Sequence, residues 1–235
     1  MAFAPVFFAK PDAGMAALEI APRLASWEAA GHPDQVALRA FLDYAEAVFA
    51  PQLAQLSAPR ALRLDVGLPQ NVDLLDAHDL DNYGFPLAAR LTQATGRSLA
   101  SVWVTKLTGT TSVAAVQEAV PRATPSIGAP VLEVRTTASA TTAAYKQQIH
   151  DQVHAALPPT GPVALELSFT VGPRRNWLNL WKPTIDALDA LLGQAVLGQA
   201  WHPRDGRIVW LGLHQQVDDT LGDDVVVAIA ATVPS

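Results

Sequence analysis

The chain of 235 residues contains no cysteine. Disulfide bonds, thiolate catalysis and zinc sites built on cysteine are therefore excluded. Charged residues are scarce, at 16% of the sequence, whereas hydrophobic residues make up 50%, which argues against an intrinsically disordered chain. No apolar run reaches the roughly 18 residues of a membrane span, and residues 1–10 lack the basic start and long apolar core of a signal peptide. We therefore expect a globular cytoplasmic protein that does not enter a membrane.

Basic residues are also fewer than acidic residues. The 16 Lys and Arg residues against 22 Asp and Glu residues give a formal net charge of −6. A protein that grips a phosphate backbone usually carries a basic face. The acidic balance lowers the expectation of nucleic-acid binding, although it does not exclude a local basic face. A glycine-rich phosphate loop and a G-x-S-x-G nucleophile elbow are absent from the sequence as well.

What the sequence does contain is a series of elements that occurs twice in the same order. Each copy opens with the tripeptide Ala-Pro-Val at the start of a short apolar strand, at residues 4–8 and 129–134. A helix follows in each copy, because apolar residues recur at a spacing of three and four in residues 38–49 and 145–157.

The later parts of the two copies are also alike. Residues 62–68 and 163–171 alternate strictly between apolar and polar side chains, which predicts strands with one buried face. Each strand is followed by an Asn-centred segment that starts a helix, the second of them over residues 182–192. The remaining apolar strands are predicted at residues 99–104, 208–213 and 225–231, with residues 113–120 ambiguous between strand and helix.

Five elements in one order favour a tandem duplication over chance similarity. We predict an α/β fold, more strictly α+β, in which two units, each a small mixed sheet packed by helices, form a pseudo-dimer. The first unit covers residues 1–122 and the second residues 130–235. A linker rich in Pro, Gly and Ser joins them at residues 123–129. Residues 15–30 are expected to add a helix to the first unit alone, interrupted at Pro22.

Two carboxylates mark the Asn-centred segment of the first copy, Asp79-Leu80-Asp81-Asn82. In an extended segment, Asp79 and Asp81 point to the same side, which suits a hard cation such as Mg²⁺. A nuclease uses that metal to hold a phosphate and to activate a water. The simpler alternative is that Asp79 caps the following helix and that Asp81 is solvated.

The corresponding segment of the second copy, residues 174–188, reads RRNWLNLWKPTIDAL. It resembles the core motif of RusA-type Holliday junction resolvases, in which a basic pair precedes D-x-D-N-L-x-K and, four residues later, D-A-L. In that family a further Asp precedes the next apolar strand, and Asp205 stands at that position here. The resemblance covers residues 138–232 and, more faintly, residues 37–107. It implies two divergent RusA-like units with a Mg²⁺-dependent endonuclease ancestry and branched DNA as the partner.

The resemblance also implies roles for the matching residues. Lys182, Asp186 and Asp205 would be the catalytic residues, and Arg174 and Arg175 would contact nucleic acid. The Mg²⁺ ligands would come from both copies, namely Asp79, Asp81 and Asp205.

Neither copy carries the complete set. In the second copy Asn176 and Leu178 replace the Asp pair, and a leucine side chain cannot bind a metal. In the first copy Phe85 stands at the Lys position and Ala89 at the position of Asp186. Either one composite site draws on both copies, or both sites are lost and the fold serves as a non-catalytic binding or interaction module. The missing ligands and the acidic charge favour loss.

Simpler explanations account for some of these residues. Lys182 and Asp186 are four apart on a predicted helix and are spaced to form a surface ion pair. Asp205 also suits a turn before a strand. His150 and His154 are spaced like metal ligands, but the sequence lacks a glutamate partner between them, so we predict a solvated helix face.

Overall fold

The structure, a computed structural model, describes the following residues: 4–25, 28–29, 31–76, 78–154, 157, 160–196 and 198–234. Within them the fold is mixed α+β, which confirms the predicted class, but one large mixed sheet packed by helices takes the place of the two small sheets that were expected. Among these residues, no helix combines the length and the apolar character that a bilayer crossing requires.

Ten strands are described, eight of them in the large sheet. In chain order they are β1 (Phe7–Phe8), β2 (Ala16–Ala17), β3 (Arg60–Leu68), β4 (Ser101–Thr108), β5 (Val113–Glu118), β6 (Pro121–Arg122), β7 (Val131–Thr136), β8 (Val163–Val171), β9 (Ile208–Val217) and β10 (Val225–Thr232). The order across the sheet is β2-β5-β3-β4-β9-β8-β10-β7, and β1 pairs with β6 outside it. The ambiguous segment at residues 113–120 is therefore a strand.

The described α-helices are α1 (Pro33–Gln55), α2 (Leu80–Thr95), α3 (Ala143–His150), α4 (Trp181–Asp186) and α5 (Asp189–Leu192). Two short 3₁₀ turns, Trp177–Leu180 and Asp205–Arg207, precede α4 and β9. The single helix predicted over residues 182–192 is thus divided into two short ones. The helix predicted over residues 145–157 is also shorter than expected, because it ends at His150.

The pairing pattern is the same from either edge of the sheet. β3 runs parallel to β4 and antiparallel to β5, and β8 runs parallel to β9 and antiparallel to β10. β4 and β9 pair antiparallel at the centre, where Trp103 lies opposite Gly212. A Cβ atom on Gly212 would lie 2.7 Å from the Trp103 ring, so this central pair requires a residue without a side chain.

In the N-terminal region the strand predicted at residues 4–8 is confirmed as β1, whereas the helix predicted over residues 15–30 is wrong. Phe7–Phe8 does not take the sheet position that corresponds to β7, which β2 occupies beside β5. The helix expected over residues 15–30 is not formed in the described residues of that stretch. The N–H groups of Leu18 and Ala25 bond outward, to Ser112 and Asn82, so they do not form helical hydrogen bonds.

The long strands are buried on both faces, whereas the alternation predicts one buried face. Every residue of β8 is buried, including Glu166 and Ser168 on the face away from the apolar side chains. Chain segments cross this second face and use its polar groups. The Ser168 hydroxyl donates to the carbonyl of Val6 over 2.7 Å, and the Ile127 N–H donates to the Glu166 carboxylate over 2.8 Å.

Close packing of α2 on β4 fixes the start of α2 relative to the sheet. Gly84 lies in the second turn of α2, where a Cβ atom would lie 2.7 Å from a methyl group of Val104. The glycine thus lets the helix approach the strand more closely than a residue with a side chain would.

We expect Gly84→Ala to lower the free energy of unfolding by about 1–3 kcal/mol, because the added methyl overpacks the helix–strand contact. Alanine is the better helix former by about 1 kcal/mol, so helix propensity alone predicts the opposite sign. Urea unfolding measures the difference. Gly31→Ala is the control, since a Cβ atom there meets open space. An increase in the free energy of unfolding on Gly84→Ala would contradict the close approach of α2 to β4.

Candidate functional site

Acidic and basic side chains from both sides of the predicted linker meet around the start of α2. They line a polar cavity of about 490 Å³, which is formed by Asp79, Lys146, Lys182, Asp186, Ala195, Trp201, His202, Pro203 and Asp205. Beside it lies an apolar cavity of about 390 Å³, which is formed by Ala25, Leu38, Asp81, Asn82, Phe85, Pro86, Leu178, Asn179, Trp181 and Lys182. Lys182 lines both cavities.

The N-terminus of α2 presents the two carboxylates of the first copy. Asp79 occupies the N-cap position but its side chain makes no capping hydrogen bond, so it is left to face the polar cavity. Asp81 lies in the first turn and is only 4% exposed. The prediction of a solvated Asp81 is therefore wrong. The turn before α4 packs against α2, and the Phe85 ring meets the Trp181 ring edge to face.

The ammonium group of Lys182 joins the carboxylates of the second copy. It donates to Asp205 over 2.9 Å and pairs with Asp186 at 2.7 Å. Lys146, from α3, pairs with the other oxygen of Asp186 at 2.8 Å. The expected ion pair between Lys182 and Asp186 is confirmed, but it belongs to a larger cluster.

A buried arginine holds the turn that carries Asp205. Arg207 is fully buried, and its guanidinium donates to the carbonyls of Thr160, Gly161 and Leu192. These bonds fix the Asp205–Arg207 turn against two neighbouring loops, so the Asp205 carboxylate is presented from a rigid support.

Burial and repulsion between carboxylates raise the pKa values of the two aspartates at the start of α2. Burial raises the pKa of Asp81 to about 7; the positive charge of Lys182 opposes the shift, and Asp205 and Asp79 add to it. The pKa of Asp79 is raised as well, by burial and by the charge of Asp205. These mutual effects show that the carboxylates from the two sides of the linker are electrostatic neighbours.

The pKa values of Lys182 and Lys106 shift in opposite directions. Burial lowers the pKa of Lys182, but the negative charges of Asp205 and Asp81 outweigh it and the pKa is raised. Burial lowers the pKa of Lys106 to about 8, against the opposing charges of Asp79 and Asp205.

Lys106 is a member of the cluster that the sequence reasoning missed. Its ammonium group donates to the carbonyls of Gly206 and His78, at 2.6 and 3.1 Å. The sequence prediction ended the strand at residue 104, whereas β4 continues to Thr108. A longer alternating strand would have placed Lys106 on the same face as Val102 and Val104, where a charged residue signals a special role.

His150 is a further departure from the sequence prediction. Its Nε2 atom lies 3.1 Å from the carboxylate of Asp189, which is buried, and its ring meets the edge of Trp201. His150 is therefore tied to the protein and does not lie on a solvated face.

The predicted nucleic-acid contacts remain predictions. Arg174 is exposed, whereas the guanidinium of Arg175 donates to the carbonyl of Asp223 over 2.5 Å. Asn176, at the first Asp position of the motif, caps the following turn by accepting from the N–H of Leu178.

Comparison with protein-family models gives no match to this sequence, and comparison with curated proteins gives none either. The resemblance to RusA-type resolvases therefore rests on the motifs alone. The chemistry of the site has to be judged from its own geometry.

The arrangement of these side chains does not fit a bound Mg²⁺ ion. Within the described part of the chain, no three Asp, Glu, His or Cys side chains are grouped so that they could hold a metal. The ammonium of Lys182 contacts one oxygen of Asp186 and one oxygen of Asp205, and Asp81 is partly protonated at neutral pH. Mg²⁺ requires ionised oxygen ligands in nearly octahedral geometry.

The raised pKa of Asp81 predicts a pH-dependent stability. Between pH 3.8 and about 7 the folded chain retains a proton that the unfolded chain has released, so the free energy of unfolding falls as the pH rises. The Asp81→Asn side chain does not ionise, so this variant should not lose stability in that way as the pH rises. We expect the variant to be more stable than the parent by about 2–4 kcal/mol at pH 8, with a much smaller difference at pH 4.

Urea unfolding at both pH values measures the effect. Asp12→Asn, at an exposed aspartate, is the matched control. If Asp81→Asn changes the free energy of unfolding by the same amount at pH 4 and at pH 8, Asp81 has an ordinary pKa in the folded protein.

Proposed function

We propose that the protein is a divergent, duplicated RusA-like protein whose composite site does not cut DNA with Mg²⁺ and serves as a non-catalytic binding module. In this proposal the two units form an internal pseudo-dimer and together build one site. The observation that carries the loss of cleavage is the ammonium of Lys182, which lies against the carboxylates of Asp186 and Asp205.

The strand order supports the duplication. The sheet gives the same sequence of parallel and antiparallel pairs from either edge, and β4 and β9 meet at its centre. β3 and β8 are the equivalent long strands, and each is preceded in the chain by a helix, α1 or α3. A dimer of identical units would pair two copies of one strand at this centre, and a fused chain replaces them with β4 and β9.

The distribution of the motif residues supports one composite site. Each copy retains what the other lacks: Asp79 and Asp81 come from the first, and Lys182 and Asp205 from the second. Asp79 and Asp205 line the same cavity. Because the retained groups adjoin one another, one shared site accounts for them better than two independent losses do.

The character of the site supports binding without cleavage. An ammonium ion compensates carboxylates without supplying the water activation and phosphate contact that a metal gives. Leu178, at the second Asp position of the motif, lines the apolar cavity and adds no ligand. What the site retains is two adjoining cavities with fixed charges, which is the property of a binding site.

The second candidate function is Mg²⁺-dependent cleavage of branched DNA. The observation that favours it is the convergence of Asp79, Lys182 and Asp205 on one cavity. It requires the ammonium of Lys182 to move aside so that a metal can enter. The proposal predicts that this exchange does not occur.

A cleavage assay on a four-way DNA junction distinguishes the two. With Mg²⁺ or Mn²⁺ we expect the parent protein to produce no cleavage above that of a protein-free control. Asp81→Asn, Asp205→Asn and the control Asp12→Asn are assayed beside it. Cleavage by the parent and by Asp12→Asn that both other variants abolish would overturn the proposal and establish the nuclease.

Removal of the Lys182 ammonium should create a divalent-cation site. Lys182→Ala removes a positive charge from this cluster and leaves the side chains of Asp186 and Asp205 free to turn toward a shared cation, so Mn²⁺ should bind and raise the thermal stability. A Mn²⁺ concentration of 100 times the dissociation constant raises the free energy of unfolding by about 2.7 kcal/mol. Lys146→Ala is the matched control, because it removes an ammonium that contacts Asp186 alone. Equal Mn²⁺ responses of parent and Lys182→Ala would show that Lys182 does not block a cation.

A further inference from the structure

The apolar cavity beside the charged cluster has the dimensions of a small-molecule site. Its volume of about 390 Å³ lies within the range of ligand pockets, which span roughly 300–1,000 Å³. Apolar side chains form most of its wall, contributed by Leu38, Phe85, Pro86, Leu178 and Trp181. Elements from both sides of the linker therefore build one pocket, and Asp81 and Lys182 are its charged lining residues.

Asp81 contributes a buried carboxyl group to the lining of this cavity. Its side chain is 4% exposed. Burial of a carboxylate is costly unless the group is paired and hydrogen-bonded. Lys182 already has Asp186 and Asp205 as partners. The Asp81 carboxyl group can therefore accept a hydrogen bond from a donor group on a ligand.

The charge of the surrounding cluster selects the sign of the ligand. When Asp81 is ionised, four carboxylates face three ammonium groups and one negative charge is in excess; these groups are Asp79, Asp81, Asp186 and Asp205 against Lys106, Lys146 and Lys182. A ligand with one positive charge balances the cluster, whereas an anionic ligand increases the imbalance.

The wall of the cavity suits an aromatic ammonium compound. Phe85 and Trp181 meet edge to face, with ring centroids 6.3 Å apart, and Phe85 remains 37% exposed. Aromatic faces attract ammonium groups and pack against other rings.

We propose that the apolar cavity binds a small organic ammonium compound, with an aromatic or branched apolar body packed against Phe85, Leu178 and Trp181 and its ammonium group paired with Asp81. This inference goes beyond the proposed function, because it concerns the apolar cavity and holds whether or not the polar cavity admits a metal. The ligand class follows from a buried carboxyl group in the lining of a largely apolar pocket.

Three probes that carry a polar group on a phenylethyl body test the proposal: 2-phenylethylamine, 2-phenylethanol and 3-phenylpropionate. Ligand-observed NMR gives the dissociation constant of each. We expect the amine to bind the parent at least about tenfold more tightly than the alcohol, and the carboxylate to bind least. An alcohol that binds as tightly as the amine would overturn the proposal, as would a preference for the carboxylate.

Two variants assign the binding to this cavity. Asp81→Asn should abolish the preference for the amine over the alcohol, since the amide carries no charge, while the alcohol still binds. Leu178→Trp should fill the cavity and weaken all three probes by about tenfold or more. Asp12→Asn, at an exposed carboxylate, is the control that should retain the preference. Retention of the amine preference in Asp81→Asn would place the ammonium elsewhere and contradict the proposal.

The pH dependence supplies a separate readout. The charged groups that face Asp81 are Lys182, Asp205, Asp79 and Asp186. The amine should bind more tightly at pH 8 than at pH 5.5, because Asp81 is then ionised, and Asp81→Asn should remove most of that dependence. Junction cleavage by the parent would overturn the proposed function and leave these affinities unaffected, so the two failures are distinguishable.

Discussion

The ammonium group of Lys182 is the charge on which the arrangement of the site depends. It contacts Asp186 and Asp205 directly, and its field opposes the rise in the pKa of Asp81. Without a cation at this point, carboxylates from two sides of the chain would repel one another in a partly buried setting. A lysine provides that cation permanently, whereas a metal provides it only when bound. In the proposed function, the same contact that stabilises the cluster takes the place of a catalytic ion.

The sheet explains why the two sides of the chain share one site. β4 and β9 pair at the centre of the sheet, and the close fit of Trp103 over Gly212 allows no side chain there. α2 packs on β4 through Gly84, and the Asp205 turn leads directly into β9. The central strand pair thus positions both groups of carboxylates. Glycine at positions 84 and 212, which leaves room for the side chains of Val104 and Trp103, is the structural requirement for this convergence.

Much of the fold could be predicted from periodicity, because apolar spacing reports directly which face of an element is buried. The central strands follow that rule, and the motif identified Lys182 and Asp205 as neighbours of the acidic site. Lys106 and the burial of Asp81 could not be predicted, because both depend on which elements pack over them. The polar residues of β8 looked solvent-facing for the same reason. Local pattern carries no information about the distant segments that cover the second face of a sheet.

The central claim is that Lys182 holds the position of a cation in the carboxylate cluster. It is tested most directly by a crystal structure of the parent protein grown with excess Mn²⁺ and measured at the manganese absorption edge. The account predicts no anomalous peak among Asp79, Asp81 and Asp205, with the Lys182 ammonium in contact with Asp186 and Asp205. A manganese peak bound by those three aspartates, with Lys182 displaced, would contradict it.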